Sequence, residues 1–237
     1  RTCGLLHKYR GRALIVASPF CAVHCRFCFR RHFPYPELPK LPSPWQPALE
    51  RVARDPSIRE VILSGGDPLA LEDESLAELA RRVAEIPHVR RLRVHTRAPI
   101  VVPQRVTDEL LAWIRVTRLA PIVVVHVNHP AEIDAPVAAA LGRLVDAGVP
   151  VLSQSVLLSG VNDDVAVLAS LFERLVDLRV MPYYLHQLDR VAGAAHFEVP
   201  ESTGAELINK LRARLPGYAV PRYVRETPGE PNKRPLA

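Results

Sequence analysis

The chain has 237 residues, 48% hydrophobic and 24% charged, a balance that excludes wholesale disorder and suits one large domain. Its formal net charge of +6 comes with no long basic run, which indicates an arginine-rich surface attractive to anions and gives no sign of nucleic-acid binding. No apolar run approaches the roughly 20 residues of a membrane helix, so no membrane association is expected.

In chain order the pattern is strand then helix, repeated. Short apolar strands are predicted over 13–17, 60–63, 89–94, 121–127, 149–156 and 180–184. Helices are predicted over 73–84, 107–117, 135–147, 165–178 and 202–215, where apolar residues recur every three or four positions. Asp73 and Thr107 are the expected N-caps, and Gly148 sits where a left-handed C-terminal residue is wanted. The proline-rich stretch 33–47 reads as an irregular surface loop. Alternating strands and helices imply a parallel sheet with right-handed crossovers. The expected fold is therefore α/β, a partial parallel (β/α)6 TIM-like barrel.

Polar residues gather where each predicted strand ends. Cys21–Cys28 follow the first, Ser64-Gly65-Gly66-Asp67 the second and His95-Thr96-Arg97 the third. His126-Val127-Asn128-His129 end the fourth, Gln154 and Ser155 lie late on the fifth, and His186, Gln187 and Asp189 follow the sixth. In parallel barrels that rim is where chemistry is built.

Three of the four cysteines, Cys21, Cys25 and Cys28, form C-x3-C-x2-C. Such clustering suits a metal site in a reducing compartment, hence a cytoplasmic protein, better than a disulfide framework. Three thiolates on a tight loop can hold three corners of a [4Fe–4S] cluster and leave the fourth iron open to another ligand. Zinc is the competing reading, with His24 or His32 as fourth ligand. Phe27 can cover either a planar ligand or apolar core. Cys3 stands apart and reads as a buried structural thiol.

The cysteine motif after the first strand, with an aromatic before its last Cys, resembles the radical S-adenosylmethionine (SAM) superfamily. CAVHCRFCFRRHFPY is similar, more narrowly, to the lysine 2,3-aminomutase family, and within it to the branch that supplies β-lysine for elongation factor P. LLHKYRGRAL, SGGDPL, HVNHPAEID, QSVLLSGVND, YYLHQLDRVAGAAHF and GEPNK extend the likeness, in order, over nearly the whole chain. The resemblance implies a single radical SAM domain over 1–237, with a segment at about 216–237 that binds pyridoxal phosphate (PLP). Since the first residue is Arg1, an N-terminal region of the full protein is expected to be missing.

The same resemblance assigns residues. Cys21, Cys25 and Cys28 would hold the [4Fe–4S] cluster. Phe27, Gly65, Gly66, Asp67, His126 and Gln154 would contact SAM, the Gly-Gly-Asp stretch receiving its amino group. PLP requires an amine, and of four lysines Lys40 lies in the proline-rich loop and Lys210 on a solvated helix face. Lys233, in GEPNK, matches the family's catalytic PLP lysine; Arg12 and Lys8 match the basic residues of the PLP site. Arg30 matches the clamp on the substrate carboxylate. Asp189 and Glu226 match the carboxylates for the lysine side-chain ammonium, with Glu in place of a family aspartate. Read alone, both would be surface carboxylates.

The implied reaction is isomerisation of L-lysine to (R)-β-lysine. A reduced cluster would cleave SAM to a 5′-deoxyadenosyl radical, which removes hydrogen from Cβ of lysine held on PLP, and the nitrogen migrates from Cα to Cβ. The electron would come from a flavodoxin or ferredoxin, and the product would pass to elongation factor P through its ligase. One alternative is a free-standing aminomutase of lysine metabolism. Against it, Asp164 stands where those enzymes carry a further cysteine, and no second cysteine cluster follows Lys233. The other is a non-enzymatic iron–sulfur or zinc module.

Overall fold

A computed structural model describes residues 4–35 and 45–237 of the chain. In these residues nine strands form one sheet in sequence order: β1 Leu5–Tyr9, β2 Arg12–Ser18, β3 Glu60–Gly65, β4 Arg91–Thr96, β5 Ala120–His126, β6 Val151–Val156, β7 Met181–His186, β8 Arg222–Arg225 and β9 Arg234–Pro235. Strands β2 to β8 are all parallel, and β1 and β9 run antiparallel at the two edges. Among the described residues seven helices accompany them: α1 Gln46–Ala53, α2 Asp73–Ala84, the short α3 Ala98–Val101, α4 Asp108–Arg115, α5 Ala135–Asp146, α6 Val165–Asp177 and α7 Glu201–Arg212. The six predicted strands are β2 to β7. The expected partial barrel is present, extended beyond the sequence reading by a seventh parallel strand and two antiparallel edges.

Alternation along the strands sorts residues between two faces. Ala13, Ile15, Val61, Leu63, Leu92, Val94, Val123 and Val125 join the cluster shared with the helices. Leu76, Leu79, Ala80 and Val83 meet them from α2, at one-face helical spacing. Each such Leu, fully buried, is worth about 1.5–3 kcal/mol. Val16, Ile62, Val124 and Val224 are also buried but lie outside that cluster, on the barrel's inner face.

The helix ends show how local chemistry sets the frame. Thr107 Oγ1 accepts from Leu110 N and caps α4 as expected. Asp164, read above only as a replaced cysteine, caps α6 by accepting from Ala166 N and Val167 N. Gly148 takes a φ of +78° after α5. Asp73 is not the N-cap of α2; Glu72 holds that position. The Asp73 carboxylate instead receives both Nη atoms of Arg105, at 2.9 Å each, and Trp113 Nε1 at 2.7 Å, which ties α2 to the segment leading into α4. The 33–47 stretch is not wholly irregular either: α1 begins at Gln46, with Pro47 in its first turn. Cys3 and Lys40 lie outside the described residues.

Inside the barrel, Arg93 of β4 meets Glu60 of β3 at 2.8 Å, with side chains 10% and 11% exposed. Removing one member leaves a buried charge unpaired, which costs about 3–5 kcal/mol, whereas replacing both costs far less. Arg93→Met is therefore expected to destabilise by about that amount, and Glu60→Gln combined with Arg93→Met to recover most of the loss. Urea unfolding of the two variants measures this.

Candidate active site

The cysteine loop leaves the C-terminal end of β2. Its three thiols border a cavity of about 500 Å³, also lined by Arg30, Ser64, Gly65, Gly66, His126 and Gln154, with His95. Burial pushes the Cys21 thiol up to about 11, and Asp67 and the two neighbouring cysteines add to the shift. Crowded thiols that oppose one another's ionisation suit a bound cation, which reverses that penalty. Among the described residues no three His, Cys, Asp or Glu side chains converge on one ion position.

Gly65 and Gly66 hold this loop in place. Gly66 N donates to Ser18 O at 2.7 Å and Asp67 N to Phe20 O at 2.6 Å. A Cβ on Gly65 would stand 2.4 Å from Ser18 O, and one on Gly66 would stand 2.2 Å from Phe20 O. The close approach that requires glycine here is therefore to the chain's own backbone. Asp67 is equally committed. Its Oδ1 accepts from Leu69 N and Thr96 Oγ1, and its Oδ2 from Arg97 N and Ala98 N. The carboxylate joins the ends of β3 and β4, which leaves backbone carbonyls as the better acceptors for a ligand ammonium.

Arg30 lies behind the cysteines. One Nη donates to Ser64 Oγ at 2.6 Å and to Gly65 O at 2.9 Å. Burial pulls its pKa below the usual guanidinium value. Its other nitrogens make no hydrogen bond among the described residues, so one edge of the fork is available to a carboxylate. His126 stacks on Phe27 with centroids 5.7 Å apart. Burial, reinforced by the Arg97 charge, lowers the His126 pKa to about 4, so the ring is neutral at pH 7. Phe27 packs on a satellite cluster of Leu158, Leu188 and Ala194 and does not border the cavity.

A second group closes the barrel's seam. Glu226, directly after β8, accepts from Lys233 Nζ at 2.6 Å, from Tyr9 Oη at 2.7 and 2.6 Å to its two oxygens, and from Lys8 Nζ. Lys8 also donates to Thr227 O at 2.6 Å. Arg12 lies over the Tyr9 ring at 4.4 Å, and Lys233 over the Tyr184 ring at 5.9 Å. Burial raises the Asp189 carboxyl, with Lys233 opposing and Glu226 adding to the shift, so the three share one neighbourhood. Burial also opposes ionisation of Glu226, but hydrogen bonds from Lys233, Lys8 and Tyr9 outweigh it and bring the carboxyl down to about 2.

Lys233 does not border the cysteine cavity. Two neutral histidines link the groups. Burial pulls His95 well below its usual value, and Arg93, Arg30 and Lys233 add to this. Burial lowers His186 to about 3, helped by Lys233 and His126. The predicted residues thus fall into a cysteine half and a lysine half with these rings between. Tyr9, Tyr184 and the linking role of the histidines were not legible from spacing. His95 and His186 were legible as strand-end residues, but not their placement between the two halves.

A profile described as the radical SAM superfamily matches residues 15–172. The chain is 49% identical over 229 residues to L-lysine 2,3-aminomutase of Haemophilus influenzae, covering 97% of this chain and 68% of that protein. It is 48% identical over 233 residues to the Escherichia coli protein of the same name, covering 98% and 68%. Against that of Clostridium subterminale the identity is 41% over 235 residues, covering 98% and 56%. Among solved structures, Streptococcus suis SuiB bound to S-adenosylmethionine superposes with a TM-score of 0.65 at 12% identity, over 93% of this chain and 51% of that one. A radical SAM methyltransferase from Sphaerobacter thermophilus gives 0.59 at 21%, over 94% and 69%. At those identities the two structures speak for the fold.

A carboxyl whose pKa falls from 4.5 to about 2 on folding contributes stability that is full above 4.5 and lost as pH drops through 2. Urea midpoints of the wild type and Glu226→Gln should therefore differ by a constant amount above pH 4.5 and converge between pH 4.5 and 2.

Proposed function

The chain belongs to the radical SAM superfamily and, within it, to the L-lysine 2,3-aminomutase family of isomerases, and on that premise we propose that it converts L-lysine to (R)-β-lysine for modification of elongation factor P. The superfamily implies a [4Fe–4S] cluster and S-adenosylmethionine; pyridoxal phosphate is the third cofactor of the proposal. One observation carries the reading: Lys233 stands against Glu226 and in the field of Asp189, while the cysteine triplet borders the neighbouring cavity.

When bound, the cluster and S-adenosylmethionine supply a carbon-centred radical, and pyridoxal phosphate an electron-accepting ring for the moving amino group. This chain's residues bind and orient. Cys21, Cys25 and Cys28 would hold the cluster, and Gly65, Gly66, His126 and Gln154, which border the same cavity, would contact the methionine portion of SAM. Asp67 acts through the backbone it braces, and Phe27 through its stack on His126. Lys233 is the amine that holds pyridoxal phosphate. Arg12 is the better-placed cation for its phosphate, since the Lys8 ammonium is engaged by Glu226 and Thr227. Arg30 presents its free edge to the substrate carboxylate. Glu226, already receiving two lysine ammonium groups, and Asp189 receive the substrate's side-chain ammonium. His95, which borders the cysteine cavity, and His186 are both neutral and both feel the Lys233 charge.

The elongation factor P assignment draws support from the higher identity to the H. influenzae and E. coli relatives than to the clostridial one, 49% and 48% against 41%. Asp164 in place of a further cysteine points the same way. A cytoplasmic setting and an electron donor of the flavodoxin or ferredoxin class complete the proposal. No helix among the described residues is long and apolar enough to cross a membrane.

Anaerobic incubation with SAM, PLP, dithionite and L-lysine, followed by chiral analysis, is expected to give mainly (R)-β-lysine; mainly (S)-β-lysine would favour the free-standing metabolic enzyme, and no β-lysine would remove the proposal. Borohydride treatment in the presence of PLP is expected to place a pyridoxyl label on Lys233 by peptide mass spectrometry and none in Lys233→Ala. Asp189→Asn is expected to lower kcat/KM for L-lysine by about 10- to 100-fold, the loss of one charged hydrogen bond of about 1.5–3 kcal/mol.

A further inference from the structure

Arg97 is absorbed by none of the roles above. It follows β4 directly, and its backbone N is fixed on Asp67 Oδ2 at 2.7 Å. One Nη of its guanidinium lies 2.7 Å from Cys25 Sγ, and the other donates to Glu132 Oε2 at 2.6 Å. Glu132 is itself pinned, because its second oxygen accepts from Asn128 N at 2.8 Å and His129 N at 3.0 Å. Only 21% of the Arg97 side chain and 23% of the Glu132 side chain are exposed. Among the described residues no other side chain hydrogen-bonds a cysteine sulfur.

We propose that Arg97 is a positioning residue that raises the reduction potential of the cluster through its hydrogen bond to the Cys25 sulfur. The inference rests on the reading that the three cysteines hold an iron–sulfur cluster. One-electron reduction adds negative charge that is shared with the ligating sulfurs. A fixed cationic donor on one of them stabilises the reduced state more than the oxidised one. Partial exclusion of water keeps the effect from being screened away. Glu132 offsets part of the charge, but by holding the second Nη it stops the guanidinium from swinging into solvent. The same residue ties the rim of β4 to the turn after β5, so the electron-accepting loop and the His126 segment share one anchor.

The test is an anaerobic redox titration of the reconstituted chain with dithionite and mediator dyes, followed by EPR of the reduced cluster. Arg97→Gln is expected to weaken the reduction equilibrium about tenfold, which is a midpoint about 59 mV more negative for a one-electron couple. Arg97→Lys, which keeps the charge on a shorter reach, is expected to fall between it and the wild type. A second measurement needs no loss-of-contact variant to assemble. In wild-type protein carrying ¹⁵N-arginine, pulsed EPR is expected to show a ¹⁵N coupling that Arg97→Lys lacks. A Gln variant with full iron content and an unchanged midpoint overturns the proposal, as does a wild-type cluster without that coupling. Wild-type protein that takes up no cluster overturns the reading beneath it, and the iron analysis tells the two failures apart.

Discussion

A parallel sheet that stops short of closing leaves two edges facing each other, and here a single carboxylate spans the gap. Glu226 follows the last parallel strand and takes hydrogen bonds from Lys8 and Tyr9 of the first strand and from Lys233 just before the last. Three donors on one anion more than outweigh the cost of its partial burial, which is why the carboxyl stays ionised far into acid. Because the donors come from opposite edges, the electrostatic tie also fixes the geometry. Lys233 cannot take its place unless both edges have taken theirs.

The cysteine half rests on a different device. Asp67 spends all its acceptor capacity joining the ends of β3 and β4, and two glycines let β3 press against the start of the cysteine loop. The loop therefore does not float over the rim. It is stitched to three consecutive strands, Arg97 braces it from the side, and its own Phe27 stacks on His126. Between the two halves the barrel offers neutral rings, His95 and His186, in a region where neighbouring cations would make a further positive charge costly.

Much of this was legible in the residues. The helix predicted over 73–84 matches α2, and the predicted starts of α5 and α6 agree with the structure, because each has a one-face apolar stripe and a clear start. The rim residues were legible because parallel strands all end on one side. Strands β1, β8 and β9 were not, since strands of two to five residues carry no period long enough to read. Asp73 misled as a cap because a carboxylate at a helix start also serves as a tertiary clamp. The glycines of SGGD were read for the right flexibility, but their approach to the chain's own backbone at Ser18 and Phe20 was not foreseen. Sequence spacing reports that a Cβ is missing, and only coordinates report what occupies its place. Tyr9 escaped notice for the same reason: its partner is 217 residues away.

That separation has a consequence for biogenesis. During synthesis the thiol-bearing loop emerges among the first strands, whereas its distant counterpart, the amine, arrives with the ninth. Until then the growing polypeptide exposes an unsealed hydrophobic trough and unprotected sulfurs to whatever oxidants surround the ribosome. Long-range closure of this kind is slow. The thiols are thus sheltered only once β9 has been made and the seam can close.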